Sequence, residues 1–420
     1  MALQGTTGTL EKLRERWWSF FHKRCRVGFP WFWPARPPGD PAMVSARRMI
    51  RRHFGHDHHP IVRALARALT AATWPPAVLI NLWQTRRVSG AEEMPIWRAP
   101  GAIWAAIRHN ILPGEYYAYA LWQPERRTNI DNYLYSHEAA RIFKLLNRPL
   151  PTDPIADKLA FYEMCKTHEL PSPEVLAAFA PTGKLREFQS GEPPELDLFV
   201  KPRVGLGGNG AERFLWRAGA FESERGHRIK RRDLADHLAA RARIENRTLL
   251  VQPNLSNHPD LRSETNDALA TVRLVTGHPP SGDVVAIFGF IYFARPDRIT
   301  AQHGNLALID AASGRVVRTS TGGDSSVRSS NCQPDGIEDK DPLTLPDWSA
   351  ALQYAKIAHR ICCNIAFIGW DIALTGDGPM LLEGNANWSA DEHQSMSGEP
   401  LGRTKFATVL AARLNDCEIA

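Results

Sequence analysis

The 420-residue sequence predicts an α+β fold of two subdomains behind a basic helical front segment, and three observations carry that prediction. Strand-like runs follow one another without a regular alternation of helices. A cluster of glycines separates two such runs. Near the carboxyl end, a hairpin signal folds two acids toward each other.

Composition sets the outer limits. Hydrophobic residues make up 43% and charged residues 23% of the chain, ordinary values for a globular protein. The six cysteines are scattered without a CxxC pair, which argues against a disulfide framework or zinc knuckle and for a reducing, cytoplasmic setting. The opening MALQGTTGTLEKLRERWW lacks the apolar core of a signal peptide. The run AATWPPAVLINLW is too short to span a bilayer and is interrupted by Pro75 and Pro76, so no transmembrane anchor is expected.

Charge is uneven. Residues 1–110 hold 17 Lys/Arg against 6 Asp/Glu, so this segment alone carries +11 while the whole chain carries +6. It reads as helices separated by proline-rich breaks such as FPWFWPARPPGDP. The piece EKLRERWWSFFHKRCR mixes Trp17, Trp18, Phe20 and Phe21 with six Lys/Arg. Its favoured reading is a helix with packed aromatics and solvated charges; the alternative is peripheral contact with an anionic membrane at its inner face, and nucleic acid is not an expected partner. His53, His56, His58 and His59 crowd into HFGHDHHP, read as a solvated loop because no defined ligand geometry completes a metal site.

Residues 111–157 form a helical lead-in, with Ile142, Leu145 and Leu146 on one helix face ended by Asn147 and Pro149. ADKLAFYEMCKTH is a second amphipathic helix. Strands follow at LDLFVKP, ERFLW, RTLLVQP, ATVRLVT and DVVAIFGFIYFA, and LALIDAASGRVV supplies two more about an Ala312–Gly314 turn. A long helix covers DWSAALQYAKIAHRICC, with Asp347 as its cap. The expected subdomains are 158–255, bearing the glycines, and 256–420, bearing the acids.

The stretch FVKPRVGLGGNGAERFLW places Gly205, Gly207, Gly208 and Gly210 just after Lys201. It is not a P-loop, which would end in GK[ST], whereas Ala211 and Glu212 follow here. A dinucleotide fingerprint requires a helix where AERFLW reads as a strand. Strand–glycine loop–strand remains: either a flap whose backbone N–H groups cover phosphates beside Lys201, or a long hairpin loop with a surface lysine.

FIGWDIALTGDGPMLLEGNANW bears on that choice. TGDG is a hairpin turn between apolar runs, and folding about Asp377 sets Asp371 opposite Glu383. Alternation puts Glu383 and Asn385 on one face with Asp371 across from them, and turns Ile372, Leu374, Met380 and Leu382 inward. Two carboxylates so placed repel each other and lose solvation. A divalent cation relieves both, and oxygen-only ligands favour Mg²⁺ shared with phosphates, with Mn²⁺ as the alternative.

Taken together, Lys201 with its glycine loop, VQPNLSNHP, TVRLVT and GWDIALTGDGPMLLEGN resemble the ATP-grasp superfamily of carboxylate–amine ligases. They are most similar to its sugar-transfer-associated family, over roughly residues 130–410. The resemblance implies an ATP-grasp fold, two α+β subdomains clasping ATP. Lys158 matches the first nucleotide-binding lysine and Lys201 the second. Gln252, Pro253, Asn254 and Leu255 match the hinge whose backbone reads the adenine edge. Arg273 matches the arginine facing the transferring phosphoryl group, and Asp371, Glu383 and Asn385 match the metal ligands. His258 and Arg262 are candidates for substrate contact or simple surface residues. The chain departs from the family before LALID, where His303, Gly304 and Asn305 replace an Asp-Asn and paired-glycine stretch.

The implied reaction is ATP- and Mg²⁺-dependent joining of a small-molecule carboxylate to an amine, or a thiol, through an acyl phosphate, in polysaccharide or peptide-like metabolite biosynthesis. A kinase-like phosphotransferase and a non-catalytic nucleotide-binding protein are the alternatives. Many relatives pair as homodimers.

Overall fold

The computed structural model describes residues 39–53, 59–89, 94–147, 154–205, 209–264, 268–293, 305–320 and 343–419. The chain forms two compact units. The first combines residues of the front segment and lead-in with 389–419 from the carboxyl end, a stretch the sequence alone assigns to the acid-bearing subdomain.

In the first unit, helices α1 (Pro41–His53), α2 (Pro60–Ser89), α3 (Ala99–His109), α4 (Pro113–Ala118) and α5 (Ser136–Leu146) are joined by α9 (Asp391–Ser397) and α10 (Lys405–Ile419). α2 runs on through Pro75 and Pro76, contrary to the expected interruption. Each proline removes one helix hydrogen bond, but both lie on the exposed side, where water can reach the released carbonyls.

The core of this unit is aromatic. Tyr119 stacks on Tyr133 at 5.2 Å and on Tyr135 at 5.8 Å. Buried polar side chains stand in for missing backbone partners. The Gln394 amide donates to the Leu134 carbonyl at 2.8 Å and accepts from its N–H at 2.9 Å. Arg47 donates twice to Glu138, at 2.7 and 3.0 Å, and also caps the carbonyls of Asp131 and Tyr133. Such pairing is what makes burial of these groups tolerable.

The second unit carries two sheets. Strands β1 (Ala177–Ala180), β2 (Gly183–Arg186), β3 (Leu198–Pro202), β4 (Glu212–Arg217), β5 (Ala220–Ser223), β6 (Arg228–Lys230) and β7 (Leu249–Pro253) form an antiparallel sheet in the order β2-β1-β7-β3-β4-β5-β6. Helix α7 (Leu234–Glu245) covers it, burying Leu234 and Leu238 against Phe179, Phe214 and Phe221. β8 (Thr271–Gly277), β9 (Val285–Phe293), β10 (Asn305–Ile309), β11 (Val316–Ser320), β12 (Phe367–Thr375) and β13 (Gly378–Asn385) form the other sheet, ordered β11-β10-β9-β8-β12-β13. Helices α6 (Lys158–Thr167) and α8 (Trp348–Ile361) contribute Phe161, Ala351 and Ala355 to its core.

Two expectations need correction. Asp347 precedes α8, but at φ 51° its side chain makes no cap; its carbonyl receives the N–H groups of Ala350 and Ala351 instead. In the β12–β13 hairpin, Asp371 does pair with Glu383, yet a bulge follows and Ile372 pairs with Leu381. The extra residue reverses the alternation beyond it, so Leu381 is fully buried while Met380 and Leu382 are only half-buried.

A polar chain crosses the core behind the hairpin. The Trp370 indole donates to Thr276 Oγ1 at 2.8 Å, Thr276 Oγ1 lies 2.6 Å from His359 Nδ1, and His359 Nε2 lies 3.0 Å from the Ile365 carbonyl. A carbonyl only accepts, so Nε2 carries a proton and donates it to Ile365. Thr276→Val should therefore lower stability by about 2–3 kcal/mol by removing partners from two buried groups, a loss that thermal or urea unfolding will register.

In the first unit, burial and the neighbouring Glu392 and Glu115 push the Asp391 carboxyl up to about 6 against hydrogen bonds from Tyr119 and Ser136. Burial pushes His393 down to about 4. The two contributions have opposite sign. Asp391 stabilises the fold below about pH 4 and loses this as pH rises through 6; His393 stabilises it above about pH 6.5 and loses this as pH falls through 4. Their effects offset across that window. Asp391→Asn removes the acid's contribution, so its stability relative to the unsubstituted protein, measured by thermal melts, should rise with pH between about 4 and 6, by on the order of 2–3 kcal/mol.

Candidate active site

Strand β3 carries Lys201 opposite Leu250 on β7. Its neighbours Val200 and Pro202 are buried, so the lysine takes the other face. Burial pulls the Lys201 ammonium down to about 8, the charge of Lys158 acts the same way, and Glu383 and Asp371 oppose it. These four side chains thus share one electrostatic neighbourhood.

Lys158 opens α6. Its Nζ lies 3.0 Å from Glu383 Oε2 and donates to the Gly205 carbonyl at 2.8 Å. One ammonium therefore joins an acid of β13 to the start of the glycine loop. Arg273, on β8, grips Asp371 with two bonds, Nε to Oδ1 at 2.6 Å and Nη2 to Oδ2 at 3.2 Å. The pair lies directly across the β8–β12 register. Space for the guanidinium depends on Gly369, where a Cβ would come within 3.3 Å of Arg273 and 3.1 Å of Trp388.

The two acids divide the available charge. Burial raises the Asp371 carboxyl, and facing Glu383 raises it further against the pull of Arg273. Glu383 resists the upward effect of burial because Lys158 and Lys201 hold it lowered. Asn385 lies two residues beyond Glu383 on the same strand face, and its amide donates to the Gly369 carbonyl at 3.4 Å. Among the described residues no group of three His, Cys, Asp or Glu gathers for a metal, so an ion here would rest on two carboxylates and one amide. That oxygen-only set, with acids held close enough to disturb each other, fits a hard divalent ion completing its shell with phosphate oxygens.

Other anticipated residues fall as follows. Gly205 and Gly210 flank the loop, and Gly207 and Gly208 lie outside the described residues. Gly210 has φ 84°, and its carbonyl accepts from Arg241 at 2.6 Å. Gln252 through Leu255 lie at the end of β7, adjacent to β3. The Gln252 side chain is committed to the Pro173 carbonyl at 2.9 Å, which leaves the backbone of this segment as its presenting surface. The His258 N–H donates to the Leu374 carbonyl at 2.8 Å and its ring lies near Asp260. The side chain of Arg262, together with His303 and Gly304, lies outside the description, as do His56 and His58; Asn305 begins β10.

Two supporting groups escape a reading of sequence. Asp157 caps α6 by accepting from Leu159 N–H at 2.9 Å, and it takes both Nε contacts of Arg203, at 2.7 and 2.8 Å. It thereby ties the helix bearing Lys158 to the strand end bearing Lys201. The Asp before a helix start is a legible cap; its pairing with Arg203 is not. Arg241, buried on α7, bonds Glu212 and Glu245 while holding Gly210.

Two antiparallel sheets, a glycine loop between β3 and β4 and opposed acids on β12 and β13 define an ATP-grasp architecture. The chain belongs to the sugar-transfer associated ATP-grasp family, whose model matches residues 138–406. Among solved structures it is similar to an L-amino acid ligase from Bacillus licheniformis (11% identity, 66% of this chain and 53% of that one, TM-score 0.38). It is also similar to a D-alanine–D-alanine ligase from Bacillus anthracis (7%, 63% and 68%, 0.35). A third likeness is to an N5-carboxyaminoimidazole synthetase from Staphylococcus aureus (11%, 66% and 57%, 0.35). The chain spans about half the length of the first of these. No curated sequence matches it.

The Asp157–Arg203 pair yields a test. Arg203→Ala should weaken ATP binding about three- to fivefold, the worth of one partly exposed ion pair, because Lys158 and Lys201 are no longer held in step. Titration calorimetry of the nucleotide will read this.

Proposed function

We propose that the protein is an ATP- and Mg²⁺-dependent ligase that joins a carboxylate to an amine through an acyl phosphate. One observation carries the reading: Asp371 and Glu383 sit opposite each other in register, and each holds a cation from a different element, Arg273 and Lys158. Family membership supports ATP as the phosphoryl donor.

In this scheme Lys158 and Lys201 bind the phosphates of ATP, and the backbone around Gln252 to Leu255 lines the adenine. Asp371, Glu383 and Asn385 would hold Mg²⁺, which supplies charge neutralisation on the phosphate oxygens. A substrate carboxylate oxygen attacks the γ-phosphorus and ADP leaves. Arg273 stabilises charge on the transferring group and then on the acyl phosphate. The glycine loop shields that mixed anhydride from water. The amine nitrogen then attacks the acyl carbon, phosphate departs, and the nitrogen loses a proton. For the acceptor we favour a component of polysaccharide or peptide-like metabolite assembly, as the family's association with sugar transfer suggests.

Two measurements test the scheme. Asp371→Ala should lower ADP release in the presence of both substrates by on the order of 100-fold or more; unchanged turnover would remove the acid from the chemistry. Across a panel of carboxylates and amines, ADP and phosphate should appear together and only with an amine present. A stable phosphorylated product without any amine requirement would instead identify a phosphotransferase.

A further inference from the structure

Helix α2 presents large apolar side chains on its exposed surface. Asn81 and Thr85 face inward, where Asn81 Oδ1 accepts the Gly114 N–H at 2.9 Å and Thr85 sits over the same glycine. Val78 is buried and Leu82 packs on the core, but other apolar side chains of the helix point out. Ile61, Leu65, Leu79 and Trp83 are 58–65% exposed, with Ile80 beside them. Among the described side chains, the other exposed positions between these are alanine or proline. They recur at helical spacing, so they make one stripe, about 33 Å long from Ile61 to Trp83 at ~1.5 Å per residue.

Helix α3 also exposes its large apolar residues. Ala102, Ala105 and Ala106 are buried, while Trp104 and Ile107 are exposed. Trp97, just before it, is 70% exposed. Both helices pack on α4. An apolar surface of this extent is rare on a protein that meets only water.

Charge says what covers it. α2 holds four arginines and no acid, and α3 has Arg108 and no acid. Arg87 stacks over Trp83 at 5.3 Å, and Arg98 lies between Trp97 at 4.6 Å and Trp122 at 4.0 Å. A second copy of this face would bring arginine against arginine. Residues 1–38 of the chain, with seven Lys/Arg against two acids, would do the same. An anionic bilayer satisfies both features, taking the aliphatic and Trp side chains into its headgroup boundary while its phosphates meet the arginines. No described helix is long and apolar enough to cross a membrane, which fits a helix lying in the interface.

We propose that the outward face of α2 and α3 docks the protein onto an anionic lipid surface. The test is flotation of the full-length protein with phosphatidylcholine vesicles, with and without about a quarter phosphatidylglycerol, at low and high salt. Flotation is expected with the anionic vesicles only, weakened by salt. The double variant Leu79→Glu/Trp83→Glu should partition at least about tenfold less, and Arg86→Glu/Arg87→Glu should lose the preference for anionic lipid. Both pairs lie at or near the surface, so melting temperature and ATP turnover should hold and thereby exclude misfolding.

Several outcomes would overturn the proposal. One is absence of flotation with either vesicle. Another is flotation unaffected by both variants, or abolished by Trp17→Glu/Trp18→Glu while Leu79→Glu/Trp83→Glu leaves it intact. A third is a concentration-dependent dimer that Trp83→Glu dissolves in a protein indifferent to vesicles, which would assign the stripe to a second copy.

Discussion

The second unit is organised around a repulsion. The β12–β13 register sets Asp371 and Glu383 side by side in partly buried surroundings, where two like charges are poorly tolerated. Three elements near the hairpin contribute to relieving that conflict. β8 supplies Arg273, bound twice to Asp371; α6 supplies Lys158, bound to Glu383; β3 supplies Lys201. The same charges that let the acids coexist are those a polyphosphate needs, so the balance of the fold and the chemistry of the site are one arrangement.

Glycine loop and acids are mechanically linked through this arrangement. Lys158 holds Gly205 at one end of the loop and Arg241 holds Gly210 at the other. Arg241 is itself fixed by Glu212 and Glu245, so the far end is tied to the body of the sheet. The near end depends on an ammonium shared with Glu383. Whatever draws Lys158 away from Gly205 loosens its hold on the loop. The Asp157–Arg203 pair keeps the two lysines' elements together while this happens.

Much of the second unit was legible because its strands are rich in β-branched and aromatic residues and its turns carry strong signals. TGDG fixes the hairpin, and Thr375 and Gly378 close it as a pair. The strands β1 and β2 escaped notice: AAFA and GKLR have little intrinsic β preference, and β1 becomes a strand by lying buried between β2 and β7. The bulge after Asp371 likewise leaves no mark in the sequence, and it reversed the inward set to Leu381. In the first unit the expected break at Pro75–Pro76 is absent: the helix runs on through both prolines, which lie on an exposed side.

The sequence by itself determined the alternation of charge and glycine along the chain: Lys201 before the loop, Asp371 and Glu383 equidistant from a turn, arginines without acids over α2. These are local matters, set by residue type and spacing. Tertiary structure decided which cation meets which acid, that the chain's last thirty residues pack with its first helices, and that α2 turns large apolar side chains to solvent. Some of these pairings join residues far apart in the chain, 98 positions for Arg273 with Asp371 and 260 for Gln394 with Leu134. No local pattern encodes them, because they depend on where the whole chain's apolar surface is buried.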